Sequence, residues 1–286
     1  MALDIRFAAS TWLWTSPFHT GIADALFGKI AAMGFDAVEI AVEDPDLVDV
    51  PIVADLLRRH GLQALVCGAF GADRDLTHED PAVHRNALDY ILRCLGICTA
   101  LGAGFLGGPM YSAVGKARMV PPGQRRREWA LAVENLRTAC TLAADNGLRL
   151  AIEPLNRFES DLVNTCADAL RLIDDIAHPA AGILLDAFHM NIEEPDIHAA
   201  LTAAGDRLLH LQVAENYRGT PGSGQTRWDD YRRGLHDIGY RGSVTIESFT
   251  TDNRSLAGAV CFWRPMAESQ DRLASEGLAF LRRWAS

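Results

Sequence analysis

The chain is poor in basic charge. Its 37 acidic residues outnumber 27 basic ones, for a formal net charge of -10, and its one basic block is Arg125-Arg126-Arg127, which reads as an exposed helix start. An acidic chain without a basic stripe does not suit a phosphate backbone, so no nucleic acid is expected as a partner. No stretch reaches the roughly 18 apolar residues that a membrane span requires, so no membrane is expected either. The start, Met1 to Arg6, lacks a basic segment followed by a long apolar run and does not read as a secretory signal. The six cysteines, at 67, 94, 98, 140, 166 and 261, form no CxxC pair. In a chain of this length they are expected to be reduced, mostly buried thiols in a cytoplasmic setting. Missing, too, is a Gly-rich turn after the first strand, which the rival fold, a doubly wound open sheet, would usually carry.

What is present is an alternation. Strand-type runs are expected at Ile5 to Ala9, Ala37 to Val42, Gln63 to Cys67, Gly104 to Gly107, Leu148 to Glu153, Gly182 to Asp186, Leu208 to Val213 and Val244 to Glu247. Between and after them lie amphipathic helical runs at Ile22 to Met33, Ile52 to His60, Val83 to Leu101, Arg126 to Asn146, Ala167 to Ile176, Asp196 to Ala204, Trp228 to Ile238 and Gln270 to Trp284. Gly34, Gly61, Gly102, Gly147 and Gly239 each close a helical run. Asp80-Pro81 opens one with a cap and a first-turn proline, and Thr165 with Asp168 resembles a capping box. Strict alternation over 286 residues without a linker predicts an α/β fold, a single (β/α)8 TIM barrel spanning residues 1–286. The segments after the strands (Gly71 to Glu79, Pro109 to Gln124, Glu215 to Arg227, Ser248 to Ala267) are longer than those before them. In such a barrel they lie on the face that carries active sites.

Three apolar strand runs end in an acid: Leu150-Ala151-Ile152 in Glu153, Ile183-Leu184-Leu185 in Asp186, and Val244-Thr245-Ile246 in Glu247. On neighbouring strands these carboxylates would converge at one rim. Like charges that close are costly unless a cation sits between them, and a divalent metal answers most simply. The alternative for any one acid is a loop cap or an arginine partner. The seventh strand adds His210 and Gln212, two apart and so on one face. Gln212 is the better placed as a ligand, with a neutral oxygen acceptable to Mg, Mn or Co, while His210 would point into the barrel one layer lower. Whether His210 or Gln212 is the fourth ligand stays open. Asn156, Arg157 and Glu159 follow Glu153, His189 and Asn191 follow Asp186, and Glu215, Asn216 and Arg218 follow Gln212. Of these, Glu159, His189 and Arg218 are candidate substrate contacts.

The runs IEPLNRFESDLVNT, LLDAFHMNIEE, AENYRGTPGSG and TIESF, in this order, with the early STWLWTSPF and late AVCFWRPM, resemble the sugar isomerase/epimerase family of xylose isomerase-like barrels. Within it they look most like the ketose 3-epimerases, those of D-tagatose, D-psicose and L-ribulose. The resemblance covers nearly the whole chain. It implies Glu153, Asp186 and Glu247 as metal ligands, with Glu153 and Glu247 also the catalytic acid/base pair. It implies Glu159, His189 and Arg218 as substrate-binding residues, and Trp14 and Cys67 as pocket lining. Trp12, Trp14 and Phe18 could present apolar faces to a sugar. One divalent metal is implied as cofactor, Mn2+ first, with Mg2+ or Co2+ as alternatives. The partner is a small-molecule carbohydrate, and the family habit is a homo-oligomer, dimer or tetramer.

The chain departs from the family pattern where Gln212 stands for a histidine metal ligand, where Gln225 stands for a histidine after the Gly-rich loop, and at Tyr217. The resemblance implies an isomerase or epimerase acting on an unphosphorylated keto sugar, by proton transfer through a metal-bound cis-enediolate. Gln212 and Gln225 keep a second reading open, a metal-dependent lyase acting on a 3-oxo sugar, sugar acid or glycoside. Two further classes, a DNA-repair endonuclease and a non-catalytic sugar-binding barrel, share the fold. The few histidines and acidic charge oppose the first, and the Glu/Asp/Glu set opposes the second. The Gly219 to Gly224 stretch reads as a covering loop rather than a phosphate cradle.

Overall fold

The structure, a computed structural model, describes residues 2–286. Its elements in order are β1 (Arg6–Ser10), α1 (Thr20–Met33), β2 (Ala37–Val42), α2 (Val50–His60), β3 (Gln63–Gly68), α3 (Pro81–Leu101), β4 (Phe105–Gly108), α4 (Pro122–Asp145), β5 (Arg149–Ile152), α5 (Cys166–Ile176), β6 (Ala181–Asp186), α6 (Ala187–Glu193), α7 (Ile197–Ala204), β7 (Leu208–Val213), α8 (Trp228–Asp237), β8 (Ser243–Ile246), α9 (Arg254–Ala259) and α10 (Gln270–Ala285). The strands close in sequence order into a parallel barrel, β8 pairing back onto β1. This is the expected (β/α)8 TIM barrel. Two short helices lie where only loop was expected: α6, directly after Asp186, and α9, within the long segment after β8. Both are too short to show an amphipathic period. Each is started by a side-chain cap, Asp186 on Phe188 N and Asn253 on Ser255 N.

Period-two alternation sorts every strand. Val38, Ile40 and Val42 of β2, Leu150 and Ile152 of β5, Ile183 and Leu185 of β6, Leu211 and Val213 of β7, and Val244 and Ile246 of β8 pack in the large cluster shared with the helices. The alternate residues point into the barrel. The interior fills in layers. Ala8, Ala37 and Leu65 with Phe105 form a small apolar layer at the bottom. Above it lie Glu39, His210, Gln212 and Thr245, joined by hydrogen bonds. Higher still, Trp12, Ala41, Cys67 and Phe249 pack at the mouth.

The expected punctuation is present. Gly34 and Gly61 adopt φ of 94° and 67° as they end α1 and α2, the left-handed turn that glycine takes without penalty. Asp80 accepts from Ala82 N at 2.8 Å with Pro81 in the first turn of α3. Thr165 and Asp168 form a reciprocal capping box on α5. All six cysteines are free, five of them buried. Among the described residues no helix is long and apolar enough to cross a membrane.

Thr165→Ala removes one half of the capping box. It is expected to cost about 1 kcal/mol, read as a lower urea midpoint with an unchanged far-ultraviolet spectrum of the native state. An unshifted midpoint would mean that tertiary packing alone holds the start of α5.

Candidate active site

Glu153 and Glu247 each stand one residue beyond their strands, and Asp186 is the last residue of β6. The parity that turns Ile152, Leu185 and Ile246 outward turns these acids inward. All three are buried. Glu153 and Glu247 have carboxyl pKa values well above the ordinary range, first because burial strips their water. For Glu153 the charges of Glu247 and Asp186 add to this; for Glu247 Arg218 opposes it while Asp186 and Glu39 add to it. Glu153, Asp186 and His189 can each turn a ligand atom to within 4.8 Å of the others.

Arg218 supplies positive charge to this acidic rim. Its Nη1 donates to Asp186 Oδ2 at 2.5 Å and to Glu247 Oε2 at 2.8 Å. Burial alone would lower its pKa, but the surrounding carboxylates, Asp186 and Glu247 foremost, raise it and keep the guanidinium charged. The group also lies over the Phe188 ring, 4.3 Å from its centroid. Arg218 holds a left-handed backbone, φ 63°, unusual for a residue with a side chain. The loop that imposes it is built on Glu215. That buried carboxylate accepts from Gly222 N at 2.7 Å, Trp228 Nε1 at 2.8 Å and Thr226 N at 3.0 Å. Arg218 N donates to Glu215 O at 2.8 Å, and Ser248 Oγ holds Arg218 O. Gly222 N and Ser223 N are thereby consumed within the protein, the latter on Thr220 O, so neither is open to an anion.

His189 lies in α6, three residues after Asp186. Its Nδ1 faces two donors of Asn156, the backbone N at 3.1 Å and Nδ2 at 2.8 Å. Asn156 cannot turn its amide over without loss, because its Oδ1 accepts from Phe158 N. The imidazole proton is therefore assigned to Nε2, which stands 3.6 Å from Glu153 Oε1 and 3.8 Å from Asp186 Oδ2. Burial lowers the His189 pKa despite the nearby acids and favours the neutral ring. The same Asn156 Nδ2 donates to Glu159 Oε1 at 2.7 Å, so one asparagine orients both residues.

Gln212 and His210 share the inward face of β7, and both lean on a residue that sequence reasoning missed, Glu39 of β2. Glu39 Oε1 accepts from Gln212 Nε2 at 2.8 Å, and Oε2 lies 2.7 Å from His210 Nε2. Gln212 Nε2 also reaches Glu247 Oε1 at 2.9 Å. Two carboxylate acceptors fix which end of the amide is nitrogen. Gln212 Oε1 is left buried with no partner among the described residues. His210, as expected, lies lower, against Phe105. The signal for Glu39 was available as an acid inside the uniform strand run Ala37–Val42, which its neighbours made easy to pass over.

Above these groups opens a cavity of about 260 Å3, lined by Glu153, Glu159, His189, Arg218 and Glu247 and walled by Trp12, Cys67, Phe70, Phe249 and Leu256. Cys67 is pocket lining as expected. Trp14 is not: its Nε1 donates to Asp271 Oδ1 at 2.6 Å, out toward α10, and Trp12 takes the wall position. Phe18 is buried against Phe27 in the outer core and presents no face to the cavity. A two-residue offset in a short helical turn after β1 decides which indole faces inward. Arg157 turns outward to Glu193, and Gln225 is exposed.

The Glu215 contacts set a pH dependence. Burial acts to raise its pKa, but the hydrogen bonds from Trp228, Thr226 and Gly222 together outweigh burial and hold it below the ordinary glutamate value. A depressed folded-state value stabilises above the unfolded value near ~4.3, and the gain is lost as pH falls through the folded value. Trp228 fluorescence should therefore report loosening of the Arg218 loop on acidification below about pH 4. Glu215→Gln should cost about 2 kcal/mol at neutral pH and remove this component of the acid response. A variant with the parent's acid profile would show that Glu215 does not govern the loop.

Comparison with known proteins agrees with the geometry. Residues 27–284 match the family described as xylose isomerase-like TIM barrel. The chain is 34% identical over 278 residues to a probable ketose 3-epimerase of Synechocystis, covering 97% of this chain and 96% of that one. It is 32% identical over 281 residues to L-ribulose 3-epimerase of Methylomonas, covering 97% of each. Among solved structures, a D-allulose 3-epimerase from Methylomonas in complex with D-allulose superposes with a TM-score of 0.91 at 30% identity, over 99% of both chains. A full-length likeness of this degree, with the acids at the ends of the same barrel's strands, makes this chain an enzyme and a member of the xylose isomerase-like TIM-barrel family.

Proposed function

We propose that this enzyme is a ketose 3-epimerase acting on an unphosphorylated keto sugar. The observation that carries the reading is the pair Glu153 and Glu247, buried at one cavity with raised pKa values, on strands three steps apart around the barrel. Inversion at a carbon next to a carbonyl needs a base on one face and an acid on the other. Two carboxyl groups whose burial favours the protonated form suit both tasks.

The donor set fits a divalent metal. Three buried carboxylates crowd one rim, and a buried amide oxygen, Gln212 Oε1, has no partner. Glu153, Asp186, Gln212 and Glu247 are the residues that would hold it. An ion there, with Mn2+ preferred over Mg2+ or Co2+, would supply Lewis-acid polarisation of a carbonyl and would offset the carboxylate charge. The chain's own residues do the rest. Glu153 or Glu247 removes the proton from carbon 3, and the other returns one to the opposite face. Arg218 Nη2 and His189 Nε2 lie 3.3 Å apart, two donors available to the carbonyl oxygen as negative charge grows on it. Glu159, fixed by Asn156, accepts from a hydroxyl. The apolar wall excludes water from the exchanging protons.

The lyase reading loses one of its two supports, because Gln225 is exposed and outside the cavity lining. Gln212 is equally at home in an epimerase that needs a neutral oxygen donor.

The decisive experiment is proton NMR in deuterated water, with Mn-loaded protein and a panel of ketohexoses and ketopentoses. Loss of the C3 proton signal with growth of the epimer is expected. Consumption of a 3-oxo sugar acid or glycoside, with silence on every ketose, would transfer the same residues to a lyase. Glu153→Gln and Glu247→Gln should each lower kcat by about 10^2- to 10^4-fold, and near-full activity in either would end the two-glutamate scheme. Calorimetry tests the metal set separately. Gln212→His should bind Mn2+ as tightly or more tightly and Gln212→Ala more weakly, whereas equal affinities would remove Gln212 from the ligands.

A further inference from the structure

The cavity has two unlike ends. Its floor carries Glu153, Glu159, His189, Arg218 and Glu247, and its outer wall is apolar apart from Ser255, the Cys67 thiol and the carboxylate of Glu43. Glu43 follows β2 directly. Its Oε1 accepts from Trp12 Nε1 at 2.9 Å and its Oε2 from Ser16 Oγ at 2.9 Å. Ser16 is held in turn by Asn253 Nδ2, and Asn253 caps α9, the helix that closes this side of the cavity. The carboxylate is thus fixed by two neutral donors from the segment after β1, one of them backed by Asn253.

It has no cationic partner among the described residues. Arg74 is nearby, yet its Nη1 donates to the backbone oxygens of Glu43 and Ala69 and not to the carboxylate. An ionised carboxylate offers about four acceptor positions, of which two are used here. Glu43 is half-buried, so its spare acceptor positions are open to water until a donor on a bound molecule replaces it. Its position gives the donor's place. Glu39, four residues earlier, reaches Gln212 at the floor, and four residues of strand advance about 13 Å toward the mouth. Glu43 thus lines the same cavity as Glu153 and Glu247, on the side nearer the mouth.

We propose that Glu43 receives the hydroxyl on the substrate's far terminal carbon, so that the site selects a neutral keto sugar hydroxylated there and refuses one phosphorylated there. The inference rests on the epimerase reading of the floor. A hydroxyl meets Glu43 as a charge-assisted donor. A phosphate meets a fixed like charge whose nearest guanidinium, Arg74, is already spent on backbone oxygens.

The test uses the full-length, Mn-loaded enzyme with D-fructose, 6-deoxy-D-fructose and D-fructose 6-phosphate. Dissociation constants come from calorimetry and kcat/KM from NMR. The parent should favour D-fructose over the 6-deoxy sugar by about 10- to 100-fold, mainly through KM, and should bind the phosphate weakest. Glu43→Gln should erase most of the first preference and bind the phosphate about 10-fold better than the parent does. Glu43→Asp, which keeps the charge but shortens the reach, should lose the hydroxyl preference and still refuse the phosphate. Equal losses on all three sugars, or an unchanged preference in Glu43→Gln, would overturn the assignment. A parent that turns over no ketose but still discriminates in binding through Glu43 would leave the inference standing and remove the proposed reaction. Absence of both binding and turnover would remove both.

Discussion

The structure depends on placing like charges together where burial strips most of their water. Glu153, Asp186 and Glu247 end strands whose other faces are tied into the main core, so none can turn away without carrying that packing with it. Burial first, and the neighbouring acids after it, raise the pKa values of the two glutamates. Arg218 relieves part of the repulsion by bonding to Asp186 and Glu247. Its place among them is fixed by a loop with a left-handed backbone at Arg218 and a buried anchor at Glu215. Fold stability and site chemistry therefore draw on the same contacts, and an acidic rim held apart by rigid strands is suited to a cation and to proton transfer.

Support for this rim comes from below. The barrel interior is apolar at the bottom and polar above, and Glu39 ties His210 and Gln212 into one unit. Glu39 decides which atom of the Gln212 amide is spare, because its carboxylate accepts only N–H. A neutral glutamine on β7 in place of a histidine therefore still presents an unpartnered oxygen, and the departure from the family pattern is compatible with the same chemistry. Asn156 performs the matching task on the other side by fixing the His189 tautomer and the Glu159 carboxylate together.

The cavity wall adds selectivity to a floor built for reaction. Trp12 and Phe249 pack at 5.7 Å between centroids, and Phe249 packs on Phe262. Short α9 closes over that side and is joined through Asn253 and Ser16 to Glu43. The aromatic wall and the Glu43 carboxylate are thus tied to the segment that covers them.

The sequence by itself determined the barrel and its acids. Eight apolar runs of period two, closed by glycines and caps, leave few other ways to bury so many strands on both faces, and an acid at the end of such a run can lie only at the strand's C-terminal rim. Glu153, Asp186, Gln212 and Glu247 were legible because strand parity is a local property. What only the tertiary structure decided are contacts between residues far apart in the chain. Glu39 meets residues 171 and 173 positions away, Trp12 and not Trp14 faces the cavity, Phe18 belongs to the core, and the Glu43 carboxylate pairs with Trp12 and Ser16 and with no cation among the described residues. No short-range pattern encodes these, because each depends on which strand ends and loops the closing of the barrel brings side by side.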